Sequence, residues 1–211
     1  MMEQFMSLFQ YDFMILAFAA ILIIAPLFGV LGTMIVNNKM AFFSDALGHS
    51  ALTGIAVGVI CGIPDTSLAM VIFGVAFALL LNWIKSRNPA STDTIISVFS
   101  SCCIAIGLAI LSRGGNFSKY SSLLLGDILS ITRREIVYLL LIFIATIIFW
   151  LVRYNRLQAV SLNRTLAKSR QFRIRLIENL FSVFIALIVM LSIKWIGILL
   201  INALLILPAA S

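Results

Sequence analysis

The chain has 211 residues, of which 62% are hydrophobic and 11% charged, against about 45–50% and about 25% in soluble domains. With a mean hydropathy of +1.14, that balance excludes an ordinary soluble enzyme and points to an all-α, polytopic membrane bundle. The formal net charge of +7 fits basic loops on the cytoplasmic side of membrane spans, not a nucleic-acid surface.

A helix needs about 20 apolar residues to cross a bilayer, and the chain divides on that scale into about seven spans plus one shorter segment. The N-terminal MMEQFMSLFQYDF carries Glu3 and Asp12 but no basic residue. It therefore lacks the positive start of a signal peptide and leads directly into the first span. That span is expected over Phe13–Val36, with Pro26 and Gly29 marking a kink. A polar turn at Asn37–Lys39 leads to a second span, Met40–Gly62. The turn Ile63–Pro64–Asp65 and a third span, Ser67–Ile84, come next, and a fourth covers Asp93–Leu111. Tyr120–Ile131 is apolar but too short to cross alone, so it reads as a re-entrant or interfacial helix bearing Asp127. A span at Ile136–Val152 follows. Arg153–Arg175 then holds seven basic residues and no acidic one. Spans at Leu176–Ile193 and Trp195–Ala210 close the chain.

Ten of the fifteen Lys and Arg residues fall in Asn37–Lys39, Lys85–Asn88 and Arg153–Arg175. Placing these in the cytoplasm puts the N-terminus outside. The assignment depends on Tyr120–Ile131 not crossing, because a crossing would invert everything after it. Cys61, Cys102 and Cys103 sit in apolar stretches without CxxC spacing and read as small membrane hydrophobes.

The second span carries the chemistry. Asp45 and His49, the latter the only histidine, are four residues apart and share one helix face. Charge inside a bilayer costs at least about 2.5–3.5 kcal/mol, so an ionisable residue there is a functional candidate by default. Beside them Ala46, Ser50, Gly54, Gly58 and Gly62 recur every fourth residue, a row of small side chains that lets a neighbouring helix approach. The Asp45/His49/Thr53 row should then face the protein interior. A carboxylate and an imidazole can share one borderline divalent cation, held weakly enough to leave again. The alternative is that Asp45 caps the helix entrance or orients His49 without any metal. Asp127 faces either the mouth of a path or the start of a short helix as its cap. Asp65 after Pro64 is turn chemistry.

Three stretches together resemble the permease subunit of the zinc/manganese/iron ATP-binding-cassette importers. They are Phe43–Gly58 (FSDALGHSALTGIAVG), Leu125–Thr132 (LGDILSIT), and Gly197–Leu200 with Ala203–Ala210 (GILL and ALLILPAA). The resemblance implies one permease domain over residues 1–211, lacking the last C-terminal spans usual in that family. It also implies a bacterial plasma-membrane location and a dimer of two permease copies that forms the path. A separate ATPase subunit and an extracytoplasmic metal-binding protein would complete the importer. No cofactor is held permanently, and zinc, manganese or iron is cargo. The loop containing Ser161, Asn163, Arg164, Ala167, Lys168 and Ser169 would dock the ATPase, with Leu157, Val160, Leu162 and Leu166 at roughly helical spacing. It departs from the family pattern at Asn163 and Gln171, where an acidic residue and a glycine are usual. A surface for anionic lipid is the alternative reading of this loop.

No GxxxxGK[ST] phosphate loop occurs, so the chain is not itself an ATPase of that type. A channel or secondary transporter working without an ATPase is the competing function, with Asp45 as its coupling carboxylate. An adjacent gene for a Walker-motif ATPase separates the two. An intramembrane enzyme would need a fuller set of ligands or a nucleophile and base, and the single histidine without HExxH gives it little to stand on.

Overall fold

The computed structural model describes residues 11–38, 40–87, 91–113, 120, 122–162 and 174–210. Helices dominate because a backbone in lipid must satisfy its own N–H and C=O groups. Six helices are long and apolar enough to cross a membrane. They are α1 (Asp12–Asn37), α2 (Ala41–Ile60), α3 (Thr66–Arg87), α4 (Thr92–Arg113), α6 (Arg133–Leu162) and α7 (Ile174–Ile196). Between α4 and α6 lies the single turn α5 (Ser122–Leu125), and α8 (Ile198–Ala210) closes the chain. About seven spans is thus close, with α8 shorter than a full crossing. Helix α1 runs without interruption through Pro26.

Helix α2 is the axis of the bundle, packed against α3, α4, α7 and α8. In its apolar window 72% of the residues are buried, against 11% in α6. The small-residue row explains part of this. A Cβ on Gly54 would lie 3.0 Å from Phe73 Cβ, and one on Gly58 would lie 2.5 Å from Ala69 Cβ, both in α3. Ser50 is fully buried and returns its hydroxyl to the Leu47 carbonyl at 2.8 Å.

Gly62 departs from the expected row. It lies past the end of α2 with φ +70°, and nothing stands within 4 Å of where a Cβ would be. Its amide bonds the Val59 carbonyl and the Ile63 amide bonds Gly58, the two-bond closure of a helix ending in a left-handed residue. Gly62 therefore stops the helix and packs against nothing. Asp65 then caps α3, its Oδ1 accepting from the Ser67 and Leu68 amides at 2.9 and 3.4 Å, as turn chemistry required.

The segment Tyr120–Ile131 is not one helix. Gly126, with φ +74°, ends α5 after one turn, and a 3-10 turn follows at Ile128–Ser130. Asp127 caps that turn, accepting from the Leu129 amide at 3.1 Å. The break is dictated by a neighbour: Gly126 and Gly197 meet backbone to backbone, and a Cβ on either would stand 2.4 Å from main-chain atoms of the other segment. Thr132 and Glu135 then start α6 as a reciprocal capping pair, through Thr132 N to Glu135 Oε2 at 2.8 Å and Glu135 N to Thr132 Oγ1 at 3.4 Å.

The segment does not cross the bundle. Asp65, Glu135 and Lys194 line a single cleft, so the α2–α3 turn, the start of α6 and the end of α7 share one end of the molecule. Arg133 pairs with Asp12 at 3.1 Å, which puts the start of α1 there too. Further along α3 and α7, Asn82 Nδ2 lies 2.8 Å from Ser182 Oγ and 3.1 Å from Asn179 Oδ1, a buried polar tie between the two helices.

Candidate functional site

The site is built on the first half of α2. Asp45 and His49 lie one turn apart with Asp45 Oδ1 3.5 Å from His49 Nε2. The N-terminus of α2 is at Met40 and carries no side-chain cap, so Asp45 does not cap the helix entrance. Its carboxylate is instead held from another helix: the Asn202 amide of α8 donates to Asp45 Oδ1. Gly48 faces the start of α8 here, where a Cβ would stand in ordinary contact with Ile198 Cγ2 at 3.4 Å. Helix α8 thus starts level with the middle of α2 and descends past Asp45.

One turn beyond His49, Thr53 donates to the Cys103 carbonyl of α4. A Cβ on Gly107 would fall 2.9 Å from both the Thr53 amide and its hydroxyl, so α4 can lie against α2 only with glycine there. The polar row is therefore split. Thr53 is buried against α4, whereas the side chains of Asp45 and His49 remain 46% and 31% exposed. The expectation that the whole row faces the interior holds for Thr53 alone. Between α4 and α8 the face bearing Asp45 and His49 is open in a single chain.

Chemically, the pair offers one carboxylate and one imidazole. Asn202 fixes one carboxylate oxygen, which orients the other, and the Asn202 Oδ1 carbonyl is buried without a partner among the described residues. Among those residues no group of three or more His, Cys, Asp or Glu side chains gathers around a point. Such a pair can offer a cation one oxygen and one nitrogen donor.

The other expected residues fall as follows. Ser161 belongs to the end of α6, while Asn163, Arg164, Ala167, Lys168 and Ser169 lie outside the described residues. The three cysteines are unpaired. Sequence reasoning missed Asn202 as the partner of Asp45, although it is the one polar side chain in ILLINALLILPAA. It also missed Gly107, Gly126 and Gly197, whose roles depend on contacts distant in sequence.

Residues 10–211 match the model of a family described as the ABC 3 transport family. The chain is 30% identical over 194 residues to the high-affinity zinc uptake system membrane protein ZnuB of Haemophilus influenzae, covering 90% of this chain and 71% of that protein. It is 26% identical over 202 residues to the manganese import system permease protein ScaB of Streptococcus parasanguinis, covering 96% and 72%. Its backbone is similar to PsaBC from Streptococcus pneumoniae in complex with Fab, with a TM-score of 0.82 and 25% identity over 100% of this chain and 76% of that one.

Proposed function

The chain belongs to the ABC 3 transport family, and from that premise we propose that Asp45 and His49 line the path of a divalent metal through it. It is the membrane-spanning permease of an ATP-binding-cassette importer of the zinc and manganese class, a transport subunit and not an enzyme in its own right. The observation that carries the assignment of the path is the Asp45–His49 pair, held by Asn202, on the most enclosed helix of the bundle. His49 lies eight residues into α2, about 12 Å at 1.5 Å per residue, near the midplane where transporter sites tend to form.

The half-exposed state of the pair supports a second copy of the chain as its missing wall. A carboxylate and an imidazole facing lipid would be costly, and two copies face to face would supply two carboxylates and two imidazoles to one cation. Both metals named for the relatives, zinc for ZnuB and manganese for ScaB, suit a mixed nitrogen and oxygen ligand set; iron belongs to the same chemical range. A separate ATPase drives the cycle through the basic loop between α6 and α7, and an extracytoplasmic metal-binding protein delivers the cargo. The chain forms one permease domain in the bacterial plasma membrane, with its N-terminus outside.

The test is uptake of radiolabelled zinc and manganese by cells that express the chain with its cognate ATPase and binding protein. Disabling the ATPase's nucleotide site should abolish accumulation. Persistent uptake would instead establish the ATPase-independent channel or secondary transporter.

A further inference from the structure

The start of α3, the start of α6 and the end of α7 enclose a cleft of about 600 Å³ at the end of the bundle away from Asn82. One wall is apolar, formed by Leu68, Val71 and Ile72 with Leu191, and Leu68 and Ile72 are 50% and 57% exposed. The other wall holds four charges: Asp65, Arg134, Glu135 and Lys194. Two of them cancel. Lys194 Nζ sits 2.7 Å from Glu135 Oε1, and Glu135 Oε2 is taken by the Thr132 amide and hydroxyl at 2.8 Å each. One cation and one anion remain. Arg134 has no ion-pair partner among the described residues, and Asp65 spends only Oδ1 on capping α3.

Two aromatic side chains also line the cleft. Trp195 lines it and is 2% exposed, yet its Nε1 has no acceptor among the described residues. That Nε1 is itself enclosed by the protein and does not open into the cleft, so the indole lends the cleft apolar surface and not a donor. Tyr138 stands on the same rim, and tyrosine with tryptophan is the usual pair at headgroup depth.

We propose that this cleft binds one aminophospholipid. The Arg134 guanidinium takes the phosphate, and the Asp65 carboxylate takes the ammonium. An acyl chain covers Leu68, Ile72 and Leu191. A free phosphate ester leaves the apolar wall bare, and an anionic lipid offers Asp65 no cation. The zwitterion with a chain matches both walls at once. The site is remote from Asp45 and does not depend on which ion the path carries.

The test uses the full chain in detergent micelles, with Trp83→Phe and Trp150→Phe leaving Trp195 as its single tryptophan. Phosphatidylethanolamine with brominated acyl chains is titrated in, then phosphatidylglycerol with the same chains, then soluble phosphoethanolamine as competitor. Saturable quenching of Trp195 by the ethanolamine lipid is expected, with weaker quenching by the glycerol lipid and little competition from phosphoethanolamine. Arg134→Ala, an exposed position, should weaken the lipid about tenfold, the loss of one charge-assisted contact. Arg134→Lys should restore part of it, a point charge without the planar fork. Equal quenching by both lipids, full competition by phosphoethanolamine, or an Arg134→Ala variant that binds like the parent would each overturn the proposal. The last result would leave the cleft to a protein contact.

Discussion

Asp45 in α2 and Asn202 in α8 are 157 positions apart, yet the asparagine amide donates to the aspartate carboxylate. The contact fixes which carboxylate oxygen is spent on the protein, and under the proposed function the other is the one offered to the metal. Groups that orient a metal ligand typically govern affinity by 10–100-fold. Asn202→Ala is therefore expected to lower metal uptake about tenfold at unchanged membrane expression. Asn202→Asp should be worse, because it sets a second carboxylate against the first. Uptake at several metal concentrations checks this, with the loss expected at low concentration and partly recovered at high.

Gly107 and Gly29 are both helical glycines with opposite surroundings. Gly107→Val would drive a side chain into the Thr53 backbone, and overpacking of that kind costs typically about 1–3 kcal/mol. At Gly29 nothing lies within 4 Å, so Gly29→Ala should leave the melting temperature unchanged or raise it through helix propensity. Thermal unfolding of the two variants in one detergent compares them directly.

Gly126 and Gly197 have φ of +74° and +87° and touch backbone to backbone. An alanine at either position pays the left-handed penalty, about 1–2 kcal/mol, and then a clash as well. Each single variant should lower the melting temperature more than Gly107→Ala does. The double variant should not be additive, since the two residues share one contact.

Lys194 and Glu135 form an ion pair that is 38% and 16% exposed. Removing one partner leaves a half-buried charge uncompensated, at a cost of about 1–3 kcal/mol. Lys194→Met alone should therefore destabilise the chain, and adding Glu135→Gln should recover most of the loss. A double-mutant cycle read by thermal unfolding in detergent measures the coupling.

The architecture was legible where the physics is local. Hydropathy located the long spans to within a few residues of the observed helices except at the end of α6, which runs ten residues past Val152 to Leu162 into the expected basic loop, and Asp65 and Asp127 behave as the helix caps their positions allow. The row of small residues in α2 gave its close packing through Ser50, Gly54 and Gly58. Gly62 kept the same spacing but lies beyond the helix end, where only backbone conformation, not periodicity, decides its role. The break at Gly126 was hidden for a similar reason, because its cause is Gly197, 71 positions further on. In the site, Asp45 and His49 stood out as ionisable groups in an apolar run. Asn202 did not, because its significance lies in a contact between helices that no spacing encodes. Their partial exposure was also unreadable, since it depends on where α4 and α8 end up around α2.

Asp45 and His49 are proposed to line the metal path. The most direct measurement is zinc and manganese accumulation by Asp45→Ala and His49→Ala, at matched membrane expression and with assembly onto the ATPase verified by co-purification. Both variants are expected to lose uptake while assembly survives. Transport at the parental rate by both variants would contradict this and reduce the pair to a structural contact between α2 and α8.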